Sequence, residues 1–501
     1  MNLKCYNILI EIIYIEGCKM ERTARRSFFA RRNIDMTQGS IAKNILMFAF
    51  PLLLGNLFQQ LYNMVDVWVI GQTDNVAAYT AVGNVGPIIN MMIGFFSGLA
   101  SGAGVIISQY YGAKNEKKAN DVAHTSMAMT LALAAVLTVL GIALAPLMLR
   151  LMFGASDESK NILENANLYL TIYFGGIVGL MVYNMGSGIL RAIGDSVRPF
   201  WYLVVAAIIN IVLDFVFVFG FNMGVAGVAL ATVIAQLTSA TLTLITLMRT
   251  SACVKISLKK LKIDVPILKN IFAIGFPAAL QMMLTSLSNV FVQSYVAKVN
   301  AVMEHCTGGW TTYSKIDQFI FLPVQSISLG VTTLVGQSLG AGDMKRAKKG
   351  TYIAFFMSLG VTAVVISIVM IFAPQLAMFF NNDPNVVYYA ELLLRNITPF
   401  YILCSVNQVF AAALRGGGNT KAPMVIMLST FVAFRQIYLF VVSNFISNEI
   451  LPVAFGYPAG WFLCATAMLI YYFKVGFSKS RIVAREEAPK AQKVIETKNR
   501  V

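Results

Sequence analysis

Long apolar stretches alternate with short polar ones along almost the whole chain. The apolar runs lie near 45–71, 80–109, 122–151, 163–185, 199–220, 224–248, 268–297, 314–338, 351–380, 387–413, 422–446 and 451–474. At ~1.5 Å per residue, each is long enough to cross a hydrocarbon core of ~30 Å. The pattern therefore predicts an all-α polytopic membrane protein with about twelve transmembrane helices. Several runs exceed the minimum length and leave room for tilt.

Residues 1–35 break the pattern. Their short apolar run, Tyr6–Ile15, is interrupted by Glu11 and is too short to span. The basic residues Arg22, Arg25, Arg26, Arg31 and Arg32 come after that run, the wrong order for a secretion signal. Met36 opens a stretch, Met-Thr-Gln-Gly-Ser-Ile-Ala-Lys, that reads as a natural start. Residues 1–35 are thus expected to be an extension outside the fold.

Charge then sets the orientation. Lysine and arginine gather in alternate loops: Lys43; Lys114, Lys117 and Lys118; Arg191 and Arg198; Lys255, Lys259, Lys260 and Lys262; Lys345, Arg346, Lys348 and Lys349; Arg415 and Lys421; and the C-terminal tail. The opposite loops hold few. The positive-inside rule places both termini in the cytoplasm, with the chain in the cell membrane, and requires an even number of spans. The formal net charge of +16 is spread over these loops. No basic domain stands apart, so no nucleic-acid partner is expected.

Composition narrows the class further. The chain is 57% hydrophobic and 12% charged, about half the charge of a soluble domain. The excess apolar surface is suited to lipid. The six cysteines, Cys5, Cys18, Cys253, Cys306, Cys404 and Cys464, have no metal-ligand or disulfide-framework spacing. Only two histidines occur, which leaves no histidine-based catalytic or metal centre. No nucleophile constellation for an enzyme is found, and no cofactor is expected.

The chain also repeats itself. Phe50-Pro51 matches Phe276-Pro277, and Leu61 and Asn63 match Leu287 and Asn289. Gln109, Gly112, Ala113 and Ala119 match Gln337, Gly340, Ala341 and Ala347. Ala145-Pro146 matches Ala373-Pro374, and Leu190-Arg191, Gly194 and Pro199 match Leu414-Arg415, Gly418 and Pro423. The separations stay between 224 and 228 residues. Six spans separate equivalent positions, so both halves have one orientation, a parallel repeat about an axis along the membrane normal. The expected division is an N-lobe at 36–249, a linker at 250–267, a C-lobe at 268–475 and a tail at 476–501. Two such lobes can rock about a central cavity, although duplication can also serve folding alone.

Few ionisable residues fall within the runs. Each costs about 2.5–3.5 kcal/mol at a helix centre, so each is a functional candidate. Asp66 in span 1, Asp214 in span 5 and Thr232 in span 6 all lie roughly 8–12 Å below the same boundary. Asn210 precedes Asp214 by four residues and shares its helix face. Two carboxylates, an amide and a hydroxyl are suited to a hard monovalent cation such as Na⁺. A buried pair of carboxylates also resists carrying two charges, so the cluster could instead hold a proton. The bland alternative is that the two aspartates are satisfied separately by their neighbours. Pro51, fifteen residues before Asp66 in one helix, removes a backbone hydrogen bond and permits a kink that ion binding could change. A fixed kink used only for packing is the alternative.

These motifs resemble the multidrug and toxic compound extrusion (MATE) family. The residues that carry the likeness are the two Phe-Pro pairs, Gly-Gln and Gly-Ala within 336–341, and Leu-Arg-Gly-Gly-Gly-Asn-Thr-Lys-Ala-Pro at 414–423. The likeness covers about 36–475. It implies antiport by alternating access: an amphipathic, often cationic, organic molecule leaves as H⁺ or Na⁺ enters. The DinF-like branch carries an Asp in span 1, an Asn-x-x-x-Asp in span 5 and a Thr in span 6, which correspond to Asp66, Asn210, Asp214 and Thr232. Gln59, Tyr62 and Asn184 match cavity positions of that branch, though ordinary interhelical hydrogen bonding explains them equally well.

The second lobe lacks the site. The repeat sets Val292, Phe434 and Tyr438 where Asp66, Asn210 and Asp214 stand. The membrane Glu and Asp of the NorM-like branch are missing too, with Thr285 near the expected Glu. Arg435, an isolated cation in span 11, is expected to pair with Asp317 or Gln436 in a structural role. The expected partners of the protein are a small organic substrate and membrane lipid, with the protein acting as a monomer. Export or flipping of a lipid-linked or peptide-like precursor is the rival function.

Overall fold

A computed structural model describes residues 33–73, 75–153, 160–300 and 303–483. The described residues are helical, with no strand among them. Eleven helices are long and apolar enough to cross a membrane: α1 Ile41–Gly71, α2 Ala77–Gly112, α3 Glu116–Arg150, α5 Val197–Gly220, α6 Gly224–Arg249, α7 Val265–Val299, α8 Cys306–Gly340, α9 Met344–Phe380, α10 Pro384–Gly416, α11 Lys421–Ile446 and α12 Ile450–Val475. A twelfth, α4, consists of Lys160–Gly175 and Ile177–Ala192, bent by 50° at Gly176. The apolar run at 163–185 crosses this bend. The equivalent place in the second half, Thr398–Phe400, is a 3₁₀ turn within α10. The repeat extends to irregularities: α5 ends in a π-helical turn at Val216–Gly220, and α11 ends in one at Val442–Ile446.

The helices form two six-helix lobes. In each, the third helix lies outermost. Only 17% of the most apolar window of α3 and of α9 is buried, against 67% for α8 and 72% for α10. Val139, Leu147, Phe356 and Ile371 are among the side chains left exposed on the two outer helices. In water this would be a liability; in lipid it is the matching surface.

The lobes are not separate bodies. The first half of α1 (Ile41, Ile45, Phe48, Leu52) packs into a core built from α8, α9, α10 and α12. Its last turns (Val69, Ile70) pack with α2, α3 and α4. α7 does the reverse: Ile267, Ile271 and Ile274 join the core of α2, α3, α4 and α6, whereas Val292, Val296 and Val299 join the C-lobe core. Each helix changes lobes near its proline, Pro51 or Pro277. α1 runs through Pro51 as one continuous helix, so in this conformation the expected kink does not interrupt it.

Between the lobes, α2 and α7 touch backbone to backbone. A Cβ on Gly98 would stand 2.3 Å from Ala279 Cα, and one on Gly102 would stand 2.4 Å from Gly275 Cα. Small residues four apart permit this approach. Gly94 meets Met282 at the next turn, and beyond it Asn90 and Asn289 are exposed.

The opposite end of the contact is closed by a two-fold latch at the face where both described chain ends lie. Gln337 Nε2 donates to Ala192 O at 2.8 Å, and its Oε1 accepts from the Met36 amide at 3.0 Å. Its repeat mate Gln109 donates to Gly416 O at 3.2 Å and accepts from the Val483 amide at 3.0 Å. Gly112 and Gly340 leave no room for a Cβ, which would stand 2.0 Å from the carbonyl oxygen of Gln337 and of Gln109 respectively.

These contacts move two expected boundaries. Ile34 is buried and its amide donates to Gly194 O at 3.1 Å, so the fold takes in the last residues of the 1–35 segment. Residues 1–32, with Cys5, Cys18 and the arginine cluster, lie outside the described residues. The 476–501 tail docks through Phe477 and Val483, both buried; residues 484–501 lie outside the described residues. The linker is clipped to α3, where Asn120 Nδ2 donates to Cys253 O and Lys255 O at 2.8 and 2.7 Å. It ends earlier than expected, because Asp264 accepts from the Ile267 amide and caps α7.

Candidate functional site

Three helices of the N-lobe bring four polar side chains to one level. Asp66 lies five residues before the end of α1. Asp214 lies six before the end of α5, with Asn210 one turn away, and Thr232 lies eight into α6. Close packing sets the convergence. Gly176 and Gly179 of α4 leave no space for a side chain against Val233 and Leu237 of α6, so α4 and α6 meet closely. All four residues are sealed: Asp66 and Thr232 are 4% exposed, Asn210 and Asp214 0%.

Thr232 Oγ1 lies 3.3 Å from Asp66 Oδ2 but only 2.9 Å from Val228 O. Its one hydrogen goes mainly to its own helix, as threonine does within helices, so it does little to satisfy the carboxylate. Asp214 and Asn210 lie close enough to Asp66 to interact with it electrostatically. Yet Asp66 Oδ1, both Asp214 oxygens and both amide atoms of Asn210 are buried without a well-formed partner. Among the described residues, no lysine or arginine pairs with either aspartate. Buried polar atoms are normally satisfied, and orphans at this density call for a missing partner. Four carboxylate oxygens and an amide, with no cation of their own, have the chemistry to hold a proton or a small monovalent cation. Among the described residues no group of three or more His, Cys, Asp or Glu side chains could hold a metal; the oxygen set here is mixed and suits an alkali ion.

The other expected residues are divided. Tyr62, one turn before Asp66, is buried and lies within hydrogen-bonding range of Gln59 and within electrostatic reach of Asp66. Asn184 Nδ2 donates to Leu180 O of its own helix at 2.9 Å. Sequence reasoning missed three residues that complete the wall. Tyr169 is within hydrogen-bonding range of Thr232. Tyr173 stacks on Tyr169 with ring centroids 6.2 Å apart, and Gln236 Nε2 donates to its hydroxyl at 3.3 Å. The signal was present, since Tyr169 and Tyr173 are four apart in α4 and Gln236 is four beyond Thr232.

The C-lobe has no copy of this cluster. Val292 is fully buried among apolar neighbours, and the Tyr438 hydroxyl donates to Pro452 O at 3.1 Å. Thr285 donates only to Gln281 O of its own helix. Arg435 departs from expectation. It pairs with neither Asp317 nor Gln436. Its Nη2 donates to Ser288 Oγ at 2.7 Å and Asn289 Oδ1 at 2.9 Å. Gln436 instead shares Ser288 as a partner, and Asp317 lies within hydrogen-bonding range of Tyr313.

Comparison with known proteins agrees with this architecture. The profile of the MatE family matches residues 51–216 and 277–440, one copy in each lobe. The chain is 29% identical over 451 residues to the probable multidrug resistance protein YoeA of Bacillus subtilis (strain 168), covering 88% of this chain and 96% of that one. It is 26% identical to the probable multidrug resistance protein NorM of Thermotoga maritima, covering 89% and 95%. Among solved structures, an outward-facing multidrug resistance MATE transporter of the MOP superfamily superposes with a TM-score of 0.83 at 22% identity. That match covers 90% of this chain and 99% of the other.

Proposed function

We propose, from the premise that this chain belongs to the MatE family of membrane transporters, that it exports small amphipathic organic molecules by antiport with H⁺ or Na⁺. The proposed site of the coupling ion is Asp66, Asn210, Asp214 and Thr232. The observation that carries the reading is the set of five buried, unpartnered polar atoms on Asp66, Asn210 and Asp214. Two carboxylates held this close in a dry pocket repel one another, and an entering cation relieves that repulsion. The export of drugs is suggested by the names of relatives such as YoeA and NorM, each covered almost end to end.

Both termini lie in the cytoplasm of the cell membrane in this reading. The latched face is then cytoplasmic, and the gap beyond Gly94 and Met282 opens outward. Ion binding neutralises the N-lobe pocket, draws α1 toward α5 and α6, and bends α1 near Pro51. The narrowed cavity, walled by Tyr62, Tyr169 and Tyr173, then releases substrate to the outside. Each charge entering down 100 mV supplies ~2.3 kcal/mol. For an uncharged substrate that sustains a gradient of roughly 50-fold, at ~1.4 kcal/mol per tenfold; one-for-one exchange with a cationic substrate cancels the electrical part.

The test uses the full chain in proteoliposomes, with ethidium as cargo and proton and sodium gradients imposed separately. One of the two gradients should drive ethidium transport, and Asp66→Asn and Asp214→Asn should each abolish that drive. Gradient-driven transport that survives both substitutions would overturn the assignment.

A further inference from the structure

Arg435 is left without a task by this mechanism. It is 3% exposed at a depth where a charge costs at least about 2.5–3.5 kcal/mol. That cost is ordinarily offset by a carboxylate, but Arg435 has none among the described residues. Its neighbours are neutral. Nη2 is held by Ser288 and Asn289, and Nε is buried with no acceptor. The ring of Tyr457 covers the guanidinium, with its centroid 4.6 Å away. The Tyr457 hydroxyl donates to the same Asn289 oxygen at 3.3 Å. These groups orient the charge without neutralising it, which is an arrangement for receiving an anion rather than for packing.

The position borders exposed polar residues at the boundary between the lobes. Met282, Ser286, Asn289 and Gln293 lie on one stripe of α7. Met282 backs onto Gly94 of α2 across the lobe boundary. Farther from the latch, Asn289 and Gln293 are exposed, as is Asn90 on the facing helix. Exposed amides at membrane depth line water, since lipid does not accept them. A carboxyl group lies on the far side of Tyr457: Asp317 is within electrostatic reach of that tyrosine, is part-buried, and has no cationic partner among the described residues. With Asp317 ionised, a simple cation or a simple anion meets one like charge here. A molecule carrying both signs meets two opposite ones.

We propose that Arg435, with Asn289 and Tyr457, is a C-lobe subsite for the carboxylate of zwitterionic aromatic substrates. This deepens the export reading, on which it rests, by naming a substrate class. Rhodamine B carries a carboxylate and a delocalised cation; its ethyl ester has nearly the same shape and only the cation. Binding of each dye to the full chain in nanodiscs is read by fluorescence anisotropy, and export of each from proteoliposomes is measured beside it. Rhodamine B should bind about tenfold tighter, as one charge-assisted contact implies. Arg435→Gln should erase that preference, and Arg435→Lys should keep part of it. Equal affinity of wild type for the two dyes overturns the subsite whether or not any variant folds, as does a preference that survives Arg435→Gln. If both dyes are exported and bind equally, only this inference falls. If neither is bound or exported, the export reading falls with it.

Discussion

At equivalent depth the two lobes carry opposite charge on nearly the same scaffold. The N-lobe sets Asp66 and Asp214 where the C-lobe sets Val292 and Tyr438, and the C-lobe adds Arg435 one residue beyond the counterpart of Asn210. The repeated parts are those that shape backbone: Pro51 and Pro277, Gln109 and Gln337, Gly112 and Gly340, and the two π-helical turns. The membrane charges Asp66, Asp214 and Arg435 belong to the unrepeated parts. Duplication has kept what holds helices together and released what faces the interior. Symmetry therefore marks packing in this protein, and its absence marks chemistry.

The largest effect should come from breaking an unmatched position beside its matched one. Asp214→Asn should remove ion-driven export and collapse the substrate gradient, which is roughly 50-fold for an uncharged substrate when one charge enters at 100 mV. Tyr438→Phe, at the equivalent place, loses one hydrogen bond to Pro452 O, worth about 1 kcal/mol. It should lower the melting temperature slightly and leave transport intact. Measured side by side in proteoliposomes, equal transport defects would deny the contrast.

Next comes the shared scaffold. Gly112→Ala and Gly340→Ala each push a Cβ against the other lobe's backbone carbonyl, so each should cost about 1–3 kcal/mol. Because the latch is two-fold, thermal unfolding in detergent should show similar losses. A loss on one side alone would show that the latch is symmetric in shape and not in energy.

The smallest effect concerns the ends. A chain that starts at Met36 loses the Ile34 amide bond to Gly194 and the burial of one isoleucine, about 2–4 kcal/mol at most. A chain ending at Arg481 loses Val483 and its bond to Gln109. Both should insert and fold with a melting temperature a few degrees lower. A start at Met36 that behaves as the full chain would mean Ile34 adds nothing.

Much of this was written in the linear pattern. Span length and the spacing of repeated motifs dictate twelve crossings in two parallel lobes, and helix depth alone puts Asp66, Asp214 and Thr232 on one level. What the pattern does not carry is which face of a helix meets which neighbour. The Gly94, Gly98 and Gly102 ladder reads as ordinary membrane glycine until α7 is laid against it. Tyr169 and Tyr173 look like interfacial aromatics until the bend at Gly176 turns them toward Thr232. Arg435 was assigned a partner by proximity in type, but Asp317 lies within reach of Tyr313, and two neutral side chains of α7 claim the guanidinium instead.

The exchange of α1 and α7 between the two cores has a mechanical consequence. Each bundle clasps the leading end of the other's first helix, as two people grip one another's wrists. In the proposed cycle neither lobe could swing without pulling on both clasps, which would load the stretches around Pro51 and Pro277 together. A carrier tied in this way turns as a linked pair of levers. In the proposed transport cycle, the two lobes would have to move together, and parting them would require both grips to be lost at once.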